Sequence, residues 1–168
     1  MDPIAHASIA LMAKPLSPNA PLWALIAATE VPDILFFAFE AAGIEHQAVT
    51  HVDFQHGLTY LSPAVLPYSH GMIMCIIWSI LTAVFAYLCL RDHHSSLIIG
   101  SMVFSHWLLD FLVYNNLPLL FDGSPLLGLG LITSGTGFII GIGIEILLIT
   151  AGIIIFTKFR KRAITPLA

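Results

Sequence analysis

The residues SHWLLD, at positions 105–110, place an aspartate four residues after a histidine. In a helix, side chains at positions i and i+4 lie on the same face, so His106 and Asp110 would project together. An imidazole and a carboxylate on one face can bind a divalent metal ion or exchange a proton. They can equally satisfy each other as a structural pair, and the spacing alone leaves both interpretations open.

The surroundings of this pair are apolar. Residues 96–114 are otherwise hydrophobic enough to cross a lipid bilayer. An ionisable side chain at the centre of a bilayer costs roughly 3 kcal/mol or more unless it is paired, hydrated or bound to metal. We therefore expect His106 and Asp110 to meet further polar groups from other helices.

Other apolar segments supply such groups. Asp33 follows Pro32, and a proline inside a helix breaks it and frees backbone groups to face a polar cavity. His70 begins another apolar segment. Imidazoles and carboxylates together suit zinc, manganese or iron. We predict one divalent metal site, with zinc as the expected ion and with these ligands: Asp33, His70, His106 and Asp110.

Three more residues are candidates for the same site. His6 lies in an N-terminal helix that would end at Lys14-Pro15 after about 16 Å, half the thickness of a membrane. It becomes a fifth ligand if that half-helix inserts to mid-depth. Glu30 and Glu145 also lie in apolar segments, and we predict that one of them acts as a general base.

Composition sets the class of protein. The 168 residues are 58% apolar and 10% charged, with a mean hydropathy of +0.92. These values indicate a single integral membrane domain spanning residues 1–168. The six Lys and Arg residues form no broad basic face, which excludes nucleic-acid binding as the function.

The hydrophobic segments predict an all-α, polytopic membrane helical bundle. It has four transmembrane helices in addition to the N-terminal half-helix. The predicted spans are 22–42, 71–90, 96–114 and 131–157.

The basic residues predict the orientation. With four spans, every Lys and Arg falls on one side, so the positive-inside rule places both termini in the cytoplasm. The expected location is the cytoplasmic (inner) membrane, crossed several times. In this orientation Asp33, His70, His106 and Asp110 all lie in the outer half of the bilayer, around a cavity open to the extracytoplasmic side.

The order of these motifs resembles a known family. An early histidine, a PD in the first apolar segment, an SH before the second and an SHxLxD in the third are similar to the membrane-bound metal-dependent hydrolases of bacteria and archaea (the YdjM type). The matching residues are His6, Pro32-Asp33, Ser69-His70 and Ser105-His106 with Asp110. The resemblance implies a polytopic membrane enzyme with a metal at these residues.

These observations predict a metal-dependent hydrolase acting on a lipid or lipid-linked ester or phosphoester. The bound ion would activate water for attack on the substrate. Two alternatives use the same groups. One is a small proton or ion carrier; four spans without an internal repeat disfavour a lone carrier, though a homo-oligomer could manage transport. The other is a non-catalytic membrane protein whose polar pairs are structural.

Overall fold

The computed structural model describes residues 3–46, 50–53, 57–60, 66–121 and 123–164. The chain is mostly helical (74%), which confirms the predicted all-α class. The described helices are α1 (Pro3–Ala13), α2 (Leu22–Thr29), α3 (Val31–Ala41), α4 (Met72–Leu90), α5 (His93–Val113) and α6 (Gly135–Ile164). Two short antiparallel hairpins join them: β1 (Thr50–Asp53) with β2 (Gly57–Tyr60), and β3 (Leu117–Pro118) with β4 (Leu126–Leu127).

Three helices of the described chain are long and apolar enough to cross a membrane: α4, α5 and residues Gly135–Arg160 of α6. The helix pair α2 and α3 becomes a fourth candidate if it is taken as one bent span. In α4 and α6 only 11% of the apolar window is buried within the protein, whereas in α5 the share is 56%. α5 is therefore the central helix, and α4 and α6 present broad apolar faces to lipid. The four-span topology and the cytoplasmic termini remain predictions.

The first predicted span is broken, as Pro32 indicates. α2 and α3 meet at an angle of 51°, and the break falls at Glu30, whose φ and ψ are −96° and 0°. Proline has no N–H to donate, and its ring clashes with the carbonyl four residues earlier, so the helix cannot continue through this point. The break leaves polar backbone groups in the middle of an apolar segment.

The half-helix α1 is inserted in the bundle, between α6, α2 and α5. The segment after α1 is fastened to the start of α5, because the Ser17 hydroxyl donates to Ser95 Oγ at 2.8 Å. Because His6 near the start of α1 contacts Asp110 near the end of α5, α1 runs antiparallel to α5 and ends near the α4–α5 turn. α6 approaches α1 closely: a side chain at Gly152 would place its Cβ 2.8 Å from the Ser8 carbonyl oxygen.

A tight turn joins α4 and α5 and makes them antiparallel neighbours. Arg91 has a left-handed conformation (φ 55°), and the Asp92 carboxylate caps α5 by accepting from the His94 N–H at 3.2 Å. The pKa of Asp92 lies below its ordinary value, chiefly because the Ser95 hydroxyl donates to its carboxylate. Asp92 is therefore ionised at neutral pH, as a helix N-cap prefers.

Candidate metal centre

Five side chains from four parts of the chain meet beside the break in the first span. α1 contributes His6, α3 contributes Asp33, the turn before α4 contributes His70, and α5 contributes His106 and Asp110. All except Asp33 are buried. The Asp33 side chain keeps 31% of its surface exposed and so marks the open side of the cluster.

Each histidine presents its Nε2 atom to a carboxylate oxygen of the cluster. His6 lies 3.4 Å from Asp110 Oδ1, and His106 lies 3.3 Å from Asp110 Oδ2. His70 lies 3.3 Å from Asp33 Oδ1 and 3.7 Å from Asp110 Oδ2. The Nε2 atom of His106 also lies 3.6 Å from Asp33 Oδ1.

These distances distinguish two kinds of interaction. Charge-assisted hydrogen bonds between nitrogen and carboxylate oxygen are about 2.7–2.9 Å long, shorter than every contact in the cluster. Ligand atoms about 2.0–2.1 Å from one tetrahedral zinc ion lie about 3.3–3.4 Å from each other. The spacing thus matches neighbouring ligands around a shared cation better than directly bonded ion pairs. Two overlapping groups of these side chains could each hold a metal ion: His6 with His106 and Asp110, and Asp33 with His70 and His106.

The hydrogen bond of His106 fixes which nitrogen faces the cluster. Its Nδ1 lies 2.7 Å from the Thr29 carbonyl oxygen, which can only accept, so we assign the proton to Nδ1. The Nε2 lone pair of the neutral ring then points at the carboxylates, and this atom has no hydrogen-bond partner in the described part of the chain. Histidines that bind metals in proteins are oriented in the same way. The Thr29 carbonyl is available at the break between α2 and α3.

His6 completes the inner wall of the cluster. Its ring stacks on that of His106, with centroids 3.7 Å apart and planes inclined by 11°. Neither ring nitrogen of His6 has a hydrogen-bond partner among the described residues, although the side chain is buried. An imidazole buried without hydrogen bonds is costly, and a bound ion would remove part of that cost. α1 thus extends far enough into the bundle for His6 to act as a ligand.

The two candidate bases occupy different positions. Glu30 is half-buried at the break, where its Oε1 accepts from the Thr29 hydroxyl at 3.1 Å. Glu145 is half-buried on α6 and belongs to neither of the groups of ligand atoms that could hold a metal ion, His6 with His106 and Asp110 or Asp33 with His70 and His106. The geometry therefore favours Glu30 as the base, although either assignment stays a prediction.

Sequence reasoning missed Glu45, which holds the turn that carries His70. Its side chain is completely buried, and its Oε1 accepts from the backbone N–H groups of Tyr68 at 2.7 Å and Ser69 at 2.9 Å. In this turn, Ser69 Oγ lies 2.8 Å from His70 Nδ1. Glu45 follows α3 in a polar stretch of sequence, so nothing in the hydrophobic pattern distinguishes it from solvated loop residues.

We predict that Glu45→Ala weakens metal binding about 10–100-fold, the effect typical of residues that orient metal ligands. The substitution leaves two backbone N–H groups without their acceptor, which costs about 1–3 kcal/mol for each buried group, and His70 loses its fixed position. Titration of metal-free protein with zinc measures the affinity. Glu40→Ala, at an exposed position of α3, is the matched control, and equal affinities in the two variants would contradict this role.

The fold and the site together define a helical membrane-type protein with a buried His/Asp cluster that could hold a metal ion. Comparison with protein-family models, with curated proteins and with solved structures finds no match to this chain. The resemblance to the membrane-bound hydrolases therefore rests on the short motifs alone, and a function must be argued from the geometry.

Proposed function

We propose that this protein is a membrane-embedded, zinc-dependent hydrolase that acts on a lipid or lipid-linked ester. The observation that supports it most is the convergence of three Nε2 atoms and two carboxylates at distances of 3.3–3.7 Å. A structural role would require only that each buried group be satisfied, and direct hydrogen bonds would do so more effectively.

The donor set favours zinc over the hard cations. Magnesium and calcium are bound in proteins mainly by oxygen ligands, whereas this cluster offers the imidazoles of His6, His70 and His106. Asp33 and Asp110 balance the charge of a divalent cation. In this proposal the four buried side chains hold the ion, and Asp33 completes the site at its exposed side.

A metal ion in this position would supply Lewis-acid activation of water and of the substrate carbonyl. The chain's own residues then orient and transfer the proton. Glu30, at the break, accepts a proton from the attacking water and returns it to the departing alkoxide. The water oxygen bonds to the acyl carbon, the bond from that carbon to the alkoxy oxygen breaks, and a carboxylic acid and an alcohol result.

The proposal is tested with detergent-purified protein. We expect about one zinc ion per chain, as one shared site requires, and zinc-dependent hydrolysis of a chromogenic long-chain ester. Glu30→Gln should retain the metal and lose about 100-fold or more in kcat, as removal of a general base does. Glu145→Gln is the matched control. Zinc-loaded protein that hydrolyses no ester would contradict the hydrolase proposal, while metal-free folded protein would also contradict the metal site.

The proposed orientation places the open side of the cluster toward the outside of the cell. We predict that a cysteine at Ala42, after α3, reacts with a membrane-impermeant thiol reagent in intact cells. A cysteine at Asn19, before α2, should react only after permeabilisation. Both positions are exposed, Cys75 is buried, and exposed Cys89 is replaced by serine in the background. The reverse labelling pattern would overturn the orientation.

A further inference from the structure

An apolar groove lies on the lipid-facing side of the broken span. It has a volume of about 540 Å³ and is bounded by α2, α3, α4 and α5. Its lining includes Ala27, Val31, Ile34, Trp78, Phe85 and Ile99. A groove of this size is within the range that binds small molecules. Because its walls are candidate membrane spans, the medium in front of it is the hydrocarbon of the bilayer.

One end of the groove is level with the metal cluster. Trp78 on α4 and His106 on α5 are equally far in sequence from Asp92 in the turn, so these antiparallel neighbours place them at the same depth. From Trp78 the groove extends along α4 to Leu90, a distance of about 18 Å in a helix. A chain lying in it would have one end beside the cluster and the other near the α4–α5 turn.

The wall between groove and cluster is the break in the first span. Thr29 and Asp33 face the cluster through a carbonyl and a carboxylate. Their neighbours Ala28, Val31 and Ile34 line the groove. The partly exposed carboxylate of Asp33 thus lies one residue away from the apolar surface, so a molecule with a polar end and an apolar tail could use both.

Charge further restricts the polar end of that molecule. The cluster brings together Asp33 and Asp110, and Glu30 lies at the adjacent break. Among the described basic residues, Arg91 lies in the α4–α5 turn, and Lys158 and Arg160 lie near the C-terminal end of α6. Lys14 donates instead to the carbonyls of Pro18 and Ala20, at the other end of α1. Asp33 and Asp110 would neutralise the two charges of a divalent ion, and Glu30 adds a negative charge beside it. The described side chains therefore leave no net positive charge for a phosphate group, and an uncharged ester fits better.

We infer that the groove binds the acyl chain of a neutral lipid ester and places its ester carbonyl at the cluster. This inference rests on the proposed hydrolase function and specifies its substrate class. The tail lies against Trp78 and Phe85 on α4, and the ester reaches the cluster beside Asp33. Selection between esters then depends on the length of the acyl chain and on the absence of charge near the ester.

The groove can be tested without any catalysis. The probe is a glycerol monoester of a long-chain fatty acid with a diazirine at mid-chain, photolysed with the purified full chain. We expect adducts on groove residues in both zinc-loaded and chelator-treated protein. Ala27→Phe fills the groove from an exposed position and should lower this labelling about tenfold, because inserting bulk into an occupied site is unfavourable. Ala38→Phe, at an exposed position of α3 outside the groove, is the matched control.

Bulk lipid or a second copy of the chain in the groove would each give a different labelling result. Adducts spread evenly over the lipid-facing sides of α4 and α6 would show bulk lipid contact and overturn the inference, as would cross-links to a second copy of the chain across the groove. Competition by the unlabelled monoester should exceed competition by the same acyl chain on glycerol phosphate about tenfold or more, and equal competition would overturn the neutral class. Since labelling requires no metal, failure here is distinguishable from failure of the hydrolase proposal.

Discussion

Asp110→Asn should reduce the zinc bound to purified protein from about one ion per chain to about a tenth or less. Asp110 is the central residue of the cluster, because its carboxylate lies 3.3–3.7 Å from the Nε2 atoms of all three histidines. Asparagine keeps the shape of the side chain and removes the negative charge that balances the cation. Elemental analysis of the variant, purified in parallel with wild type, measures the effect.

Asp33→Asn is the matched control for this experiment. Asp33 contacts only His70 and His106 in the cluster, and its side chain is partly exposed. We therefore expect Asp33→Asn to keep a larger fraction of the zinc than Asp110→Asn does, while losing ester hydrolysis. Full zinc occupancy in Asp110→Asn would remove this residue from the ligand set. Equal loss of zinc in both variants would contradict the distinction between the buried ligands of the cluster and the partly exposed Asp33.

The pairing of residues within one helix could be predicted from sequence, because helix geometry is local. The spacing of His106 and Asp110 places them on one face whatever the tertiary structure, and Pro32 must break its helix for covalent reasons. The span boundaries are less exact: the last predicted span begins at residue 131, whereas α6 begins at Gly135 after a short 3-10 turn. Helix ends depend on turn geometry, which hydrophobicity does not encode.

Which helices meet at the cluster could be determined only from the structure. Sequence allowed α1 to lie at the interface or to insert, and only the contact of His6 with Asp110 establishes insertion. The residues that orient the ligands also could not be identified from the sequence. Thr29 acts through its backbone carbonyl, which every residue possesses. Glu45 acts on a turn more than twenty residues later in the chain. Such interactions have no local sequence signature.

A purely structural role for the cluster makes a different prediction from a metal site. If His106 and Asp110 only satisfied each other, removing one would strand the other at a cost of roughly 3–5 kcal/mol, and replacing both by apolar residues would relieve that cost. The structure gives each of them further partners: His106 also faces Asp33, and Asp110 also faces His6 and His70. Removing both would therefore leave other polar groups unpaired.

We accordingly expect that the double variant His106→Leu with Asp110→Leu is no more stable than either single variant. It should also lose the response to metal. A bound ion present at a hundredfold excess over its dissociation constant stabilises the native state by about 2.7 kcal/mol, which for a chain of this size corresponds to a Tm shift of about 5–10 °C. Wild type should show this shift between zinc and chelator, and the double variant should show none.

Thermal unfolding in detergent, measured with zinc and with chelator for all four proteins of the cycle, distinguishes the interpretations. A double variant that recovers wild-type stability, together with a wild type indifferent to zinc, would establish a structural pair and contradict the metal site. The expected pattern is the opposite, because Asp33, His6 and His70 are buried or half-buried and would lose their partners on α5. We expect a bound cation to offset their desolvation, and the two leucines would remove the α5 ligands of that cation while leaving these three polar side chains in place.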